Sequence, residues 1–209
     1  DGTAPTGWPG DYRATILRPN GPSATVWSPM TNPVTKGNLV DTFATTFAPG
    51  VIYFAGFTAT VGGTVAAVKV KVAANLTGKI NAYLYSSASN NPSALLATAT
   101  ESTNPAAGTI TLSFGSAVTL TRDAGYWIAI HSNASVSLLG TATNGGDGRS
   151  QTVSYISGPP ASASAGNNNT VPFMSVDITP INWTLLADDT HDGLSTYIFS
   201  PNVADEELL

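Results

Sequence analysis

The chain has 209 residues, 42% hydrophobic and only 10% charged, with a net charge of −5 and no cysteine. The missing cysteine excludes disulfides, thiolate metal sites and a cysteine nucleophile. The eight lysines and arginines form no basic stripe that could release counterions from a nucleic acid, and no apolar run nears the roughly 18 residues of a spanning helix, so neither nucleic acid nor a membrane is an expected partner.

Taken in chain order, residues 1–35 carry six prolines (Pro5, Pro9, Pro19, Pro22, Pro29, Pro33) and little periodic apolar text. Such a segment buries too little of itself to offset an ordering cost of about 1–2 kcal/mol per residue. It nevertheless holds Trp8, Tyr12 and Trp27, large groups that are costly to leave in water. These three, together with the C-terminal Leu208 and Leu209, are the candidate assembly residues.

From Val65 onward the apolar text alternates with a period of two, the signature of half-buried strands. Val68, Val70 and Val72 oppose Lys69 and Lys71; Ile80, Ala82 and Leu84 oppose Tyr83 and Tyr85. Ile110, Leu112 and Phe114 alternate with threonine and serine, as do Val118 and Leu120. Tyr126, Ile128 and Ile130 oppose Trp127, Ala129 and His131. Turn chemistry separates these runs, at Gly62-Gly63, Leu76-Thr77-Gly78, Asn90-Asn91-Pro92, Asn104-Pro105 and Arg122-Asp123-Ala124-Gly125. Short β-branched strands at this spacing predict an all-β fold, an antiparallel β-sandwich of jelly-roll or immunoglobulin-like type. Ile80, Leu84, Leu112, Phe114, Ile128 and Ile130 are expected in one core, because a slip of one residue would turn each run outward.

The segment 92–100 fits either a short helix or a strand after a loop. Two stretches read as loops, 140–150 with Asn144-Gly145-Gly146-Asp147-Gly148, and 157–170 with Gly158-Pro159-Pro160 and Asn167-Asn168-Asn169. The second is long for a structureless connection, so it is expected either to be functional or to lie along a partner. Residues 171–178 read as the strand that closes the sandwich.

The texts Tyr83-Leu84-Tyr85-Ser86, Asn91-Pro92-Ser93-Ala94-Leu95-Leu96-Ala97 and Gly125-Tyr126-Trp127-Ile128-Ala129-Ile130 resemble a β-sandwich module of bacteriophage tail-fibre and virion accessory proteins, found also in bacterial surface proteins. The resemblance covers residues 41–178. The flanks resemble a second β-domain of phage and bacterial surface proteins. They carry Thr15-Ile16-Leu17-Arg18-Pro19-Asn20-Gly21 with Trp27 on one side, and Trp183-Thr184-Leu185-Leu186-Ala187-Asp188-Asp189 with Ser195-Thr196-Tyr197-Ile198 on the other. The implied organisation is an arm and the start of a host β-domain in 1–40, the sandwich in 41–178, and a return to the host domain in 179–209, with residues 12–28 and 181–199 paired as strands. Two unrelated terminal arms are the alternative. Asp1 is not an initiator methionine, and Asp205–Leu209 reads as the opening of a further strand.

Residues for catalysis are sparse. The two histidines, His131 and His191, have no nucleophile on a strained G-x-S-x-G turn nearby in the sequence. The carboxylates Asp41, Glu101, Asp123, Asp147 and Asp177 sit at turns and strand ends, where acids are ordinarily solvated. Asp188, Asp189 and Asp192 lack the spacing of a calcium loop and suit turn and cap roles better. No catalytic residue, metal or cofactor is assigned. Tyr83 and Tyr85 share one strand face, as do Trp127 and His131, and together they would form an aromatic platform for a sugar ring if exposed; otherwise they fill the second face of a covered sheet. The expected function is a non-enzymatic virion structural or accessory protein whose partners are other virion proteins or copies of itself. The alternative is a carbohydrate-binding or adhesive module that meets a host-surface glycan from a phage fibre, from a bacterial surface or as a secreted protein.

Overall fold

In a computed structural model of the chain, the described residues are 32–142 and 148–180, and, as backbone strands alone, 14–16, 24–26, 183–191 and 194–201. The strands in chain order begin with β1 (Ala14–Ile16), β2 (Ala24–Val26), β3 (Val34–Asn38), β4 (Phe43–Phe47), β5 (Val51–Thr58) and β6 (Gly63–Val72). They continue with β7 (Lys79–Ala88), β8 (Asn91–Thr98), β9 (Ser102–Thr103), β10 (Gly108–Leu120), β11 (Gly125–Ser132) and β12 (Val136–Ala142). The last are β13 (Gly148–Thr152), β14 (Gly166–Asn167), β15 (Thr170–Pro172), β16 (Met174–Pro180), β17 (Trp183–His191) and β18 (Leu194–Pro201).

Two seven-stranded antiparallel sheets form the body. One runs β15-β12-β6-β16-β3, with β10 paired to β6 and β4 to β12; the other runs β14-β13-β5-β11-β7-β8, with β9 paired to β7. The expected β-sandwich is therefore present. Strand parity sets its core. Ile128 pairs with Leu84 on one side and Ala55 on the other, and Val68 pairs with Leu112 and Val176. Ile80, Leu84, Leu112, Phe114, Ile128 and Ile130 are all buried in one cluster with the β6 valines, Met174, Val176 and Ile178. Lys69 and Lys71 point out of it, to Asp177 and Asp41 respectively.

The structure settles several local alternatives. Residues 91–98 form a strand, because Ser89 and Asn90 both take positive φ (49° and 57°) between the paired Ala88 and Asn91. Two such residues make the tight turn whose twist matches a hairpin. Pro92 is tolerated there because β8 ends the sheet path. The sandwich is wider than the 41–178 read from the sequence: β3 pairs residue for residue with β16 from Val34–Ile178 to Asn38–Met174, and Pro180 pairs with Gly63. Both ends of the expected 140–150 loop are strand, since β12 reaches Ala142 and β13 resumes at Gly148 against β5; residues 143–147 lie outside the described residues. Glycine-rich text gives no period-two signal, so its pairing is not readable from apolar spacing.

Outside the sandwich β1 pairs with β2 and β17 with β18, each as an antiparallel pair. The described strands of residues 12–28 and 181–199 pair within their own segments, each as a two-stranded sheet, where pairing of one segment with the other was expected; the side chains of both segments lie outside the described residues.

Gly37 shows why β3 was hard to read. It sits at φ +121°, and a Cβ there would lie 2.2 Å from the Met174 carbonyl oxygen. Replacing it with alanine is expected to destabilise the fold by about 1–3 kcal/mol from backbone strain alone, with the clash adding to that. Gly115, where a Cβ meets nothing within 4 Å, should tolerate alanine within about 1 kcal/mol. Urea midpoints of the two variants check the contrast.

Candidate functional site

The second sheet is apolar on both faces. Its outer face gathers Ile52 and Phe54 from β5, Tyr83 and Tyr85 from β7, and Trp127 and Ala129 from β11 into a second buried cluster. His131 lies beside it, its ring 6.3 Å from that of Tyr83. The Phe54 and Tyr85 rings meet edge-on at 5.5 Å. The structure thus brings the four candidate platform residues to one face of one sheet.

That face is covered. From Thr152 the chain leaves β13, makes a single 3₁₀ turn at Tyr155–Ser157, passes through Gly158-Pro159-Pro160 and returns along the free edge of β8. Leu95 N–H donates to the Ala161 carbonyl (2.9 Å) and Ala163 N–H to the Ser93 carbonyl (2.9 Å), so the segment adds a short piece of strand to the sheet edge. The Tyr85 hydroxyl donates to the Pro160 carbonyl at 3.0 Å. Val153, Ala163 and Ala165 pack on the cluster from above. Beneath this strap Tyr83, Tyr85, Trp127 and His131 are each no more than 2% exposed. Of the two readings these residues allow, the open aromatic platform is excluded and the covered second face of the sheet holds. The long 157–170 segment lies along the chain's own sheet.

Burial shows in the chemistry of the face. Tyr83 is pushed up to about 12, by desolvation first and the Glu101 charge second. Tyr85 is raised further, by burial and then Tyr83. The His131 imidazole is held below its ordinary value by desolvation, against the opposing effect of its bond to Val153. Trp127 donates from Nε1 to Ser87 Oγ at 3.1 Å, and the Arg149 guanidinium lies 5.3 Å over its ring. Arg149 itself is buried and donates to the Gly148 and Asn90 carbonyls and to Asn91 Oδ1. Sequence reading missed Arg149 because it follows a glycine-rich stretch, and missed Tyr155, whose hydroxyl donates to Glu101 Oε2 at 2.6 Å.

The exposed acids are also engaged. Asp177 pairs with Lys69 (2.6 Å), Glu101 with Lys79 (2.8 Å), and Asp41 with Lys71. Hydrogen bonds from these lysines hold all three carboxyls below the ordinary carboxylate range.

Open clefts among the described residues include these two. A groove of about 460 Å³ runs between Leu96–Thr98 of β8 and Phe114–Thr119 of β10. A smaller one, about 290 Å³, sits at the strand ends between Phe57, Ser87, Asn90 and Tyr126. Exposed apolar side chains concentrate where β3 hands over to β4, at Leu39, Val40 and Phe43, 36–49% exposed. The expected assembly residues Trp8, Tyr12, Trp27, Leu208 and Leu209, and the side chains of Asp188, Asp189, His191 and Asp192, lie outside the described residues.

No family model and no curated protein matches the chain. A solved structure with a similar fold contains the cysteine protease and lectin-like domains of Cwp84, a surface layer associated protein of Clostridium difficile. It aligns over 76% of this chain at 10% identity, with a TM-score of 0.50. The alignment covers 38% of that protein, so the chain spans well under half its length, and the likeness is one of fold.

If the strap is part of the folded unit, Tyr85→Phe should cost about 1 kcal/mol through the lost bond to Pro160. Trp127→Ala should cost about 3–5 kcal/mol through the cavity it leaves. Chemical denaturation of the two variants checks both.

Proposed function

We propose that the chain is a non-enzymatic component of a bacteriophage particle, a structural or accessory module that works by docking onto other virion proteins or onto copies of itself. The observation that carries this reading is the apolar corner Leu39-Val40-Phe43, set between two strands that each pair on one side only among the described residues, β3 with β16 and β4 with β12. Clustered exposed apolar groups mark interaction sites, and an unpaired edge is a template for strand addition. The low charge of the surface removes one barrier to close contact between copies. The resemblance of the Tyr83–Ser86, Asn91–Ala97 and Gly125–Ile130 texts to the phage module supports the virion setting.

A second reading, a carbohydrate-binding or adhesive module, draws on the likeness to a structure with lectin-like domains. In this chain the small cleft beside Ser87, Asn90 and Tyr126 would serve it, with the aromatic face covered.

Light scattering of the purified chain separates the two. Concentration-dependent association is expected, weakened tenfold or more in Val40→Asp and Phe43→Asp, which corresponds to about 1.4 kcal/mol each. A strict monomer that binds glycans on an array would overturn the assembly reading in favour of the adhesive one.

A further inference from the structure

His131 is the one buried side chain among the described residues with a polar atom that finds no partner. Its Nε2 lies 3.0 Å from the Val153 carbonyl. A carbonyl only accepts, so Nε2 carries the proton and Nδ1 is a bare lone pair. That Nδ1 is buried and makes no hydrogen bond. The ring is 1% exposed and lies directly beneath the strap, 4.9 Å from the ring of Tyr155. An unpaired buried polar atom in a folded protein calls for an explanation.

We infer that His131 is a proton-operated latch: uptake of a proton at Nδ1 releases the 153–165 strap from the outer face of the sheet.

The argument follows from what surrounds the ring. A proton added at Nδ1 creates a second N–H and a full positive charge in a site that offers that atom no acceptor, a costly arrangement in a low-dielectric interior. On β11 itself the neighbouring outward residue is Ala129. Ile52 on β5 and Asn81 on β7 sit opposite His131, and Gln151 on β13 sits opposite Ile52; none of these ionises. Tyr83, two positions along β7, stays protonated because its hydroxyl is pushed up to about 12. Arg149, on β13, lies over Trp127 and can only oppose a second cation. On the strap side Glu101 is reached through the Tyr155 hydroxyl and is already engaged by Lys79.

The strap offers the easiest way out. It is built of small residues (Ser154, Ser157, Gly158, Ala161, Ser162, Ala163, Ser164), none of its positions is fully buried, and Ile156 at its crest is 97% exposed. The bonds that tie it to the body include Val153 N–H to the Gly50 carbonyl (2.9 Å), the two edge bonds to β8, Ser164 N–H to Gln151 Oε1 (3.0 Å), His131 Nε2 to the Val153 carbonyl, and the Tyr85 and Tyr155 hydroxyls. Lifting it returns the imidazole to water, where its ordinary value is 6.5.

The direction with pH is fixed by this. The closed state holds His131 neutral and depressed, so its stability is complete above about 6.5 and declines as pH falls below that, by at most tenfold per pH unit for one proton. Glu101 cannot produce the same transition, because its carboxyl is held below 4.5 by Lys79 and Tyr155.

Hydrogen exchange of the full chain tests the latch, followed at the Val153, Ala163 and Leu95 amides, which bond across the strap contacts. The Ala73 and Ala99 amides, bonded to Ser137 and Ala82 within the body, are the reference. After correction for intrinsic exchange chemistry, protection of the three strap amides should fall two- to tenfold per unit between about pH 6.5 and 5, with the reference amides unchanged. In His131→Gln, which keeps an N–H for Val153, the dependence should vanish. A flat wild-type profile, or a variant that keeps the dependence, overturns the inference. Should His131→Gln fail to fold, nuclear magnetic resonance of the imidazole in His191→Gln, which leaves one histidine, decides. Titration below 6.5 in step with strap release supports the latch; titration at or above 6.5 with the strap still protected overturns it.

Discussion

Everything in this structure follows from one strand that is buried on both sides. Along β11, Tyr126, Ile128 and Ile130 face the inner core, while Trp127, Ala129 and His131 face outward, and every one of them is buried. An antiparallel sheet normally leaves one face to water. Here the sequence places a tryptophan, two tyrosines and a phenylalanine on that second face, a load of apolar surface that must be covered. The first sheet covers the inner face. Among the described residues the outer face is covered by the chain's own 153–165 strap, with Leu95 and Arg149 beside it, and the strap's bonds to the β8 edge and to Tyr85 are the consequence.

What could be read in advance was whatever depends on parity. The alternation of Val68, Val70 and Val72 with two lysines, or of Ile80 and Leu84 with two tyrosines, places each residue on a face with no knowledge of the partner strand. It yielded the fold class and all six expected core residues. The opposite face of the same strands was equally visible as aromatic, but whether water or protein lies above it is a non-local matter. The covering segment is made of serine, alanine, glycine and proline, which carry no periodic signal of their own. β3 was missed for a related reason: Val-Thr-Lys-Gly-Asn has no apolar alternation, and its pairing with β16 turns on backbone contact at Gly37. Arg149 was missed because a lone arginine after a glycine-rich stretch looks solvated until Trp127 is placed beneath it.

The covered face also redirects the functional argument. An aromatic platform open to solvent would have favoured sugar stacking. With that surface sealed, the exposed apolar groups among the described residues cluster at the β3–β4 corner, with Leu96 and Ile156 exposed singly elsewhere. The carboxylates are paired as well: Asp41, Glu101 and Asp177 are each held ionised by a lysine on the sheet surface. The strap itself adds a second level, since a cover held by a small set of bonds over a buried imidazole is expected to open before the strands beneath it.

The central claim is that the outer face of β11 is covered in the folded chain. A protein carrying Trp127 as its sole tryptophan, with Trp8, Trp27 and Trp183 replaced by phenylalanine, tests it most directly through its fluorescence at neutral pH. The account predicts blue-shifted emission that acrylamide quenches poorly, both changing to the values of the unfolded chain only on denaturation. Red-shifted emission with free quenching in the folded protein would place Trp127 in water and contradict it.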